Sequence, residues 1–307
     1  MLRLCLQFGM ESFAVWLTGS ALGIAMMLAV QIIMPVNDAL AKYLSGLLPV
    51  LQIAWARFFF NAFFIIPWAY WRTRGHGLTV SDPLLQVTRG IVIVVANICF
   101  VTGVRYIPLA DALAIVFISP IVVTALSARY LGEHISPAHW IAVVIGFLGV
   151  LVIIRPGLSA FQPAALLPLM AGFLFSIYLV LTRRLVRTSS PDATQAVTTM
   201  IGAVLLSLAV PFVWETMSTE ILLLMLAIGA LSGVGHILMT SAHVHAQAST
   251  LAPLTYIALI VATILGYLLF GDLPDRWTVS GAVIVIGSGL FIWWHGSTTS
   301  SSSVLKK

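Results

Sequence analysis

PLADALAIVFISPIVVTALSARYLGEHISPAHWIAVVIGFLGVLVIIRPG, residues Pro108–Gly157, contains two long apolar segments, Leu109–Leu131 and Ala138–Ile154. A short polar link, Gly132-Glu133-His134-Ile135-Ser136-Pro137, joins them. Each segment is close to the ~20 residues with which an α-helix crosses a bilayer. A similar pair returns near the C-terminus as Ser249–Trp294, STLAPLTYIALIVATILGYLLFGDLPDRWTVSGAVIVIGSGLFIWW. The two stretches read as matching helical hairpins in two halves of one membrane protein.

Composition supports a lipid setting. Of 307 residues, 60% are hydrophobic and only 8% charged, with a mean hydropathy of +1.07. A soluble domain carries about 25% charged residues, and a chain this apolar cannot cover its core with polar surface. The runs lack the strict alternation of a lipid-facing β-barrel. Backbone groups in lipid must bond within their own segment, which leaves helices. Cys5 and Cys99 are the only cysteines. Cys99 sits inside an apolar run, so a disulfide framework is not expected.

The first apolar segment runs from about Phe13 to Val36, after a short N-terminal tail. A start at Met10 reads as well as one at Met1. The segment is longer than a signal-peptide core and lacks a clear cleavage site, so it reads as an uncleaved first helix. Nine more follow, at Val50–Tyr70, Leu84–Val104, Leu109–Leu131, Ala138–Ile154, Ala164–Leu185, Ala193–Trp214, Ile221–Ala242, Ser249–Phe270 and Trp277–Trp294. Residues 295–307, rich in serine, read as a disordered cytoplasmic tail. With both termini in the cytoplasm, nine Lys and Arg fall on that side: Arg3, Arg72, Arg74, Arg129, Arg183, Arg184, Arg187, Lys306 and Lys307. Only Lys42, Arg105, Arg155 and Arg276 fall outside. That asymmetry follows the positive-inside rule.

An offset of 139 residues lays the fourth segment on the ninth. Ile121 meets Ile260, Val122 meets Val261, Thr124 meets Thr263, Phe117 meets Tyr256, Gly132 meets Gly271 and Glu133 meets Asp272. The next helices open with Trp140 and Trp277, and carry Gly146/Gly149 and Gly287/Gly289. Five helices per half place the second copy upside down relative to the first. The expected fold is therefore all-α: ten transmembrane helices in two inverted-topology repeats, 13–157 and 163–294. Such repeats recur in secondary transporters, where two halves can open a central cavity to either face. A non-transporting membrane scaffold or receptor is the alternative.

The residues resemble the drug/metabolite transporter superfamily, in its EamA-type branch with two repeats. The first half carries Asn37-Asp38-Ala-Leu-Ala-Lys42-Tyr-Leu, Ala56-Arg57-Phe-Phe-Phe, Arg89-Gly90, Tyr106-Ile-Pro108-Leu-Ala-Asp111-Ala, Ser119-Pro120, Leu131-Gly-Glu133 and Arg155-Pro-Gly157. The second carries Thr182-Arg183, Ala252-Pro253 with Tyr256, Phe270-Gly-Asp272, Pro274 with Trp277, and Ser288-Gly289-Leu. His295-Gly296 departs from the basic–acidic pair that often ends the last helix of relatives. The resemblance implies an inner-membrane transporter of a small metabolite. Riboflavin, S-adenosylmethionine and amino acids are the cargoes to consider, and the Asn-Asp…Lys-Tyr-Leu wording is closer to uptake-type members.

Charges at membrane depth mark the candidate site residues, because they normally face a cavity or a partner. Arg57 lies about 10 Å into its helix at 1.5 Å per residue. It could bind an anionic group of the cargo, or pair with Asp38. Asp38 and Lys42 stand at i, i+4, a spacing that predicts an ion pair within the helix, with a gate or coupling site as the alternative. Arg89, near the start of the third helix, is expected to snorkel, with a role in binding or gating as the alternative; Asp111 is expected to act as an N-terminal cap-like acid, with a proton or cargo site as the alternative. Arg129 and Glu133 form a further i, i+4 pair. His236 could titrate and couple transport to protons, or sit as a neutral core histidine. Trp55, Phe117, Tyr178 and Tyr256 could stack against an aromatic cargo. Pro120 and Pro253 could break helices four and nine where they line a cavity.

No nucleophile motif, metal-ligand spacing or phosphate-binding Gly-rich loop appears, so no enzyme activity, metal or cofactor is expected. His243 and His245 lack further zinc ligands. The expected partners are a small-molecule metabolite and the lipid bilayer, with no nucleic acid and a homodimer left open. Helices 1, 3, 4, 6, 8 and 9 are expected to line the pathway, with 5 and 10 supporting it.

Overall fold

Each long apolar run satisfies its backbone by coiling on itself. The computed structural model describes residues 2–74, 80–130, 137–156 and 161–304. For 2–20, Ala128, Ala248, Ser249 and 295–304 it describes the backbone only. Among these residues, ten helices are long and apolar enough to span a membrane: α1 Ala21–Ser45, α2 Val50–Arg72, α3 Pro83–Tyr106, α4 Leu109–Ser127, α5 Pro137–Ile154, α6 Pro163–Leu185, α7 Pro191–Val213, α8 Thr219–His245, α9 Ala252–Phe270 and α10 Arg276–Trp294. Large apolar side chains such as Phe63, Leu84, Phe212 and Leu268 are exposed, as a lipid-facing surface requires.

The packing has an approximate twofold symmetry that exchanges α1 with α6, α2 with α7, α3 with α8, α4 with α9 and α5 with α10. α1 packs on α8, and its mate α6 packs on α3. α2 packs on α8, and α7 on α3; α1 packs on α9, and α6 on α4. The pairs α2–α7, α4–α9 and α5–α10 join a helix to its own counterpart. Close contacts obey the same rule. A Cβ on Gly90 would lie 2.6 Å from Ile201, and one on Gly229 would lie 2.2 Å from Phe60. Gly229 follows Gly90 by 139 residues and Ile201 follows Phe60 by 141, so one contact is the repeat of the other.

Four boundaries differ from the sequence reading. The first helix extends from Leu2 to Ser45 rather than ending at Val36. Pro35 lies inside it, and the polar run that follows stays helical because its side chains find partners, described below. Helix α4 is two pieces, Leu109–Val116 and Ser119–Tyr130. Pro120 has no N–H to continue the ladder and its ring crowds the carbonyl of Val116. Helix α9 opens as a 3-10 turn, Ala252–Tyr256, around Pro253, before Ile257–Phe270. The last helix continues past Trp294 to Val304. Extending an existing helix needs no new nucleus.

Helices α5 and α10 approach most closely through small residues, as helix pairs in lipid do. A Cβ on Gly281 would lie 2.6 Å from the Gly149 carbonyl oxygen. The glycines that the sequence alignment paired are not the ones that meet, since a Cβ on Gly287 would touch nothing within 4 Å. Contact follows the helix crossing point, which alignment of two copies does not contain. The Arg129–Glu133 pair and most of the Gly132–Pro137 link lie outside the described residues.

Candidate functional site

Helices α1, α2 and α8 meet along a face that is polar in an otherwise apolar bundle. Asn37 and Asp38 are buried on α1, Asn61 on α2 and Ser232 on α8. Arg57, on α2, donates from Nη2 to Asp38 Oδ1 at 2.9 Å. With its amide oriented to satisfy both ends, Asn37 accepts from Arg57 Nη2 at 3.2 Å and from Ser232 Oγ at 2.7 Å. Its NH2 group then donates to the Ile228 carbonyl at 3.1 Å. His236 lies one turn beyond Ser232, and its Nδ1–H donates to the Ser232 carbonyl at 2.7 Å. That bond fixes the tautomer and leaves Nε2 as an acceptor.

Two groups on this face are unspent. Arg57 Nη1 and Asn61 Oδ1 are both buried without a hydrogen-bond partner among the described residues. They are four residues apart, on the same side of α2. Asn61 Oδ1 faces α8, where a Cβ on Gly233 would lie 3.2 Å from it. Buried donors and acceptors are nearly always satisfied. One idle donor on a cation, and one idle acceptor a turn away, suit a ligand with an anionic group and an N–H or O–H group.

Asp38 and Lys42 do not form the expected pair within α1. Asp38 turns to Arg57, and Lys42 reaches Asp272 Oδ2 at 2.6 Å, at the end of α9. Lys42 also donates to the Ile107 carbonyl at 3.0 Å and stands 4.8 Å from the Phe270 ring centre. Helical spacing makes the two side chains neighbours, but the packing of the helices brings Arg57 of α2 to Asp38 and Asp272 at the end of α9 to Lys42.

Arg89 does not snorkel. It is 2% exposed. Its Nε donates to Thr182 Oγ1 at 2.7 Å, Nη1 to the Thr194 carbonyl at 2.9 Å and to Thr198 Oγ1, and Nη2 to Tyr178 OH at 2.7 Å. The guanidinium lies 4.2 Å from the Tyr178 ring centre, and the Tyr178 hydroxyl donates in turn to Gln195 Oε1 at 3.1 Å. Neutral oxygens of α6 and α7 do the work that water would do at the surface. Arg89 thus clamps α3 to α6 and α7, and Tyr178 belongs to the clamp. By the spacing of 141 found above, Tyr178 is the repeat counterpart of Asn37 and Thr198 that of Arg57. By the spacing of 139, Arg89 replaces Ile228. The two polar clusters therefore occupy equivalent places, with the arginine on a different helix in each. Residue identities differ at every one of these positions, so alignment could not find them.

Trp55 is engaged structurally. Its Nε1–H donates to Ser207 Oγ at 2.9 Å, and its ring packs on Phe59, Phe60 and Trp214. Phe117 and Tyr256 are brought together, with ring centres 5.2 Å apart. They sit beside the breaks at Pro120 and Pro253, so the two interrupted helices touch where each is weakest. The piece Leu109–Val116 packs on both α6 and α9, whereas Ser119–Tyr130 packs on α6 and α5.

Sequence reasoning missed Asn61, Ser232 and the acids Asp272 and Asp275 as partners. Asp275 pairs with Arg155 at 2.6 Å. The i, i+4 spacing of Arg57 and Asn61 within an apolar helix was the available signal for Asn61. Nothing local marks the others.

The comparisons with known proteins bear on the family and the fold. The model of the family described as "EamA-like transporter family" matches residues 21–155 and 162–294. The chain is 27% identical over 281 residues to an S-adenosylmethionine uptake transporter of Rickettsia prowazekii, covering 91% of this chain and 95% of the relative. It is 29% identical to the pseudopaline exporter CntI of Pseudomonas aeruginosa, over 82% of this chain and 88% of that one. A riboflavin transporter of Rhizobium johnstonii is 29% identical over 68% and 70% of the two chains. A solved crystal structure with 19% identity superposes at a TM-score of 0.62, covering 90% of this chain and 95% of the other, and shares the fold.

Proposed function

Because the chain belongs to the EamA-like transporter family, we propose that it moves a small metabolite across a bacterial inner membrane by alternating access. The cargo binds at the α1–α2–α8 face. The observation that carries this reading is the idle pair, Arg57 Nη1 and Asn61 Oδ1, set at membrane depth beside Asn37, Asp38, Ser232 and His236. An anionic group of the cargo meets Arg57, and a donor group meets Asn61. Phe117 and Tyr256, at the breaks near Pro120 and Pro253, separate the binding face from one end of the bundle. The two repeats rock about them, with α5 and α10 as a fixed seam. Both termini face the cytoplasm, which puts the Lys42–Asp272 and Arg155–Asp275 bridges on the outer side.

The names of the relatives support S-adenosylmethionine, riboflavin and pseudopaline as first cargoes to try, with amino acids after them. Both uptake and export names occur among them, so direction is an experimental question. The test is uptake and efflux of labelled S-adenosylmethionine, riboflavin and amino acids in vesicles, with and without an ionophore. The same vesicles, carrying Leu273→Cys, check orientation through labelling by an impermeant thiol reagent. Saturable movement of one cargo, lost in Arg57→Ala, is expected. Movement of none of them, or full activity of Arg57→Ala, would sink the site.

A further inference from the structure

A third polar cluster closes one end of the bundle, away from the binding face. It draws Lys42 from α1, Asp111 from α4, Arg155 from the end of α5, Asp272 and Asp275 from the α9–α10 link and Thr278 from α10. Two ion pairs join the first repeat to the second there, Lys42–Asp272 and Arg155–Asp275, each at 2.6 Å. Asp111 has no ion-pair partner among the described residues, although Arg155, Asp272 and Asp275 all lie within its electrostatic reach. Three carboxylates and two cations leave one negative charge too many, and the unshared one is Asp111.

The surroundings of Asp111 are built for a further occupant. Its Oδ1 is buried without a hydrogen-bond partner among the described residues, and so is Arg155 Nε. Thr278 lies beside the Asp111 carboxyl and is itself only 2% exposed. A cavity of about 50 Å³ opens between Asp111, Arg155 and Gln162, walled by Pro108, Ile115 and Ile153. That is room for a small number of waters. From the other helices packed on this part of α4, α6 brings no charged group to it. Arg105 of α3 and Arg276 of α10 lie over Tyr106 and Trp277 at exposed positions.

We infer that Asp111 is a proton-binding site that couples to closure of this end of the transporter, an inference that rests on the alternating-access reading. A proton on Asp111 brings the five-charge cluster to neutrality and lets Lys42–Asp272 and Arg155–Asp275 hold the two repeats together. Loss of the proton leaves three carboxylates against two cations at the seam, which favours separation. The proton comes from and returns to water in the cavity, so no bond other than O–H is made or broken. The idle Arg155 Nε–H, a donor on a cation at the same cavity, argues against a metal ion there, since both would be positive.

Infrared difference spectra of the purified full-length protein in lipid nanodiscs, titrated with pH at fixed sodium, read the site without any cargo. A protonated-carboxyl band that comes and goes across the neutral range is expected. It is lost in Asp111→Asn and displaced in frequency in Asp111→Glu. The inference fails if the wild type shows no such band, if the band persists unchanged in Asp111→Asn or Asp111→Glu, or if sodium at constant pH abolishes it. Should Asp111→Asn not fold, the displacement in Asp111→Glu alone decides. Because the band needs no transport, a protein that keeps the band but moves no cargo would count against the transport reading and leave the proton site standing.

Discussion

Arg57 and Arg89 each stand about two turns into a helix, yet their surroundings are opposite. Arg89 is saturated by neutral oxygens from two neighbouring helices, whereas Arg57 keeps Nη1 idle and shares Nη2 with Asp38. The first arrangement is a clamp and the second is available to a ligand. Removing one partner of a buried ion pair strands the other, at a cost of about 3–5 kcal/mol. Arg57→Ala should therefore lower stability by about that order, read as unfolding in detergent. Asp38→Asn added to it should recover most of the loss, because the stranded charge is gone. Transport should stay depressed by about ten- to a hundred-fold in the double variant, as expected from one lost charged hydrogen bond of about 1.5–3 kcal/mol. Recovery of both properties together would make Arg57 a structural residue only. Asp275 behaves differently from these groups. Partial burial pushes its carboxyl up, but the Thr278 amide and the Arg155 guanidinium outweigh this and hold it below the usual range. Its contribution is thus present above the ordinary carboxylate pKa, and is lost only as pH falls through the lowered value. Any response of the end cluster near neutral pH must come from another group.

At the scale of elements, the seam between α5 and α10 and the breaks in α4 and α9 divide the labour. A Cβ on Gly281 would press on the Gly149 carbonyl and Ile153, which the closely approaching backbones cannot absorb. Gly281→Ala should cost about 2 kcal/mol, within the usual range for overpacking. Gly287→Ala, with open space at its Cβ, should be neutral or slightly stabilising through helix propensity. Equal thermal shifts for the two variants would refute the close seam. The broken helices had a visible cause in Pro120 and Pro253, and the sequence marked both. Where the breaks meet was not visible there. The contact of Phe117 with Tyr256 joins residues that only the packing of one repeat on the other brings together.

For the molecule as a whole, each repeat supplies half of every interface near the twofold axis. The Lys42–Asp272 bridge is the clearest case, since it ties the end of α1 to the end of α9. Lys42→Asp or Asp272→Lys alone places two like charges at contact. Each single variant should lose most transport and shift the accessible face, measured by thiol labelling at Leu273→Cys. The exchanged pair, Lys42→Asp with Asp272→Lys, should recover a substantial part. Recovery will be incomplete, because the Ile107 carbonyl and the Phe270 ring favour a cation at position 42. Exchanged charges that perform no better than either single variant would deny the bridge any role in closure.

The sequence by itself determined the solvent, the helix count and the doubled, inverted architecture, because hydrophobic length and repeat spacing are properties of a chain read in order. It also located Arg57, since a lone charge in an apolar run is conspicuous without any fold. It could not choose partners. Asp38 and Lys42 look paired at i, i+4, and Arg89 looks able to snorkel, until the neighbouring helices are in place. Partner choice depends on which residues from distant parts of the chain are closest and least hydrated. That is decided by helix crossing points and by the pseudo-twofold packing of the repeats, which only the tertiary structure contains.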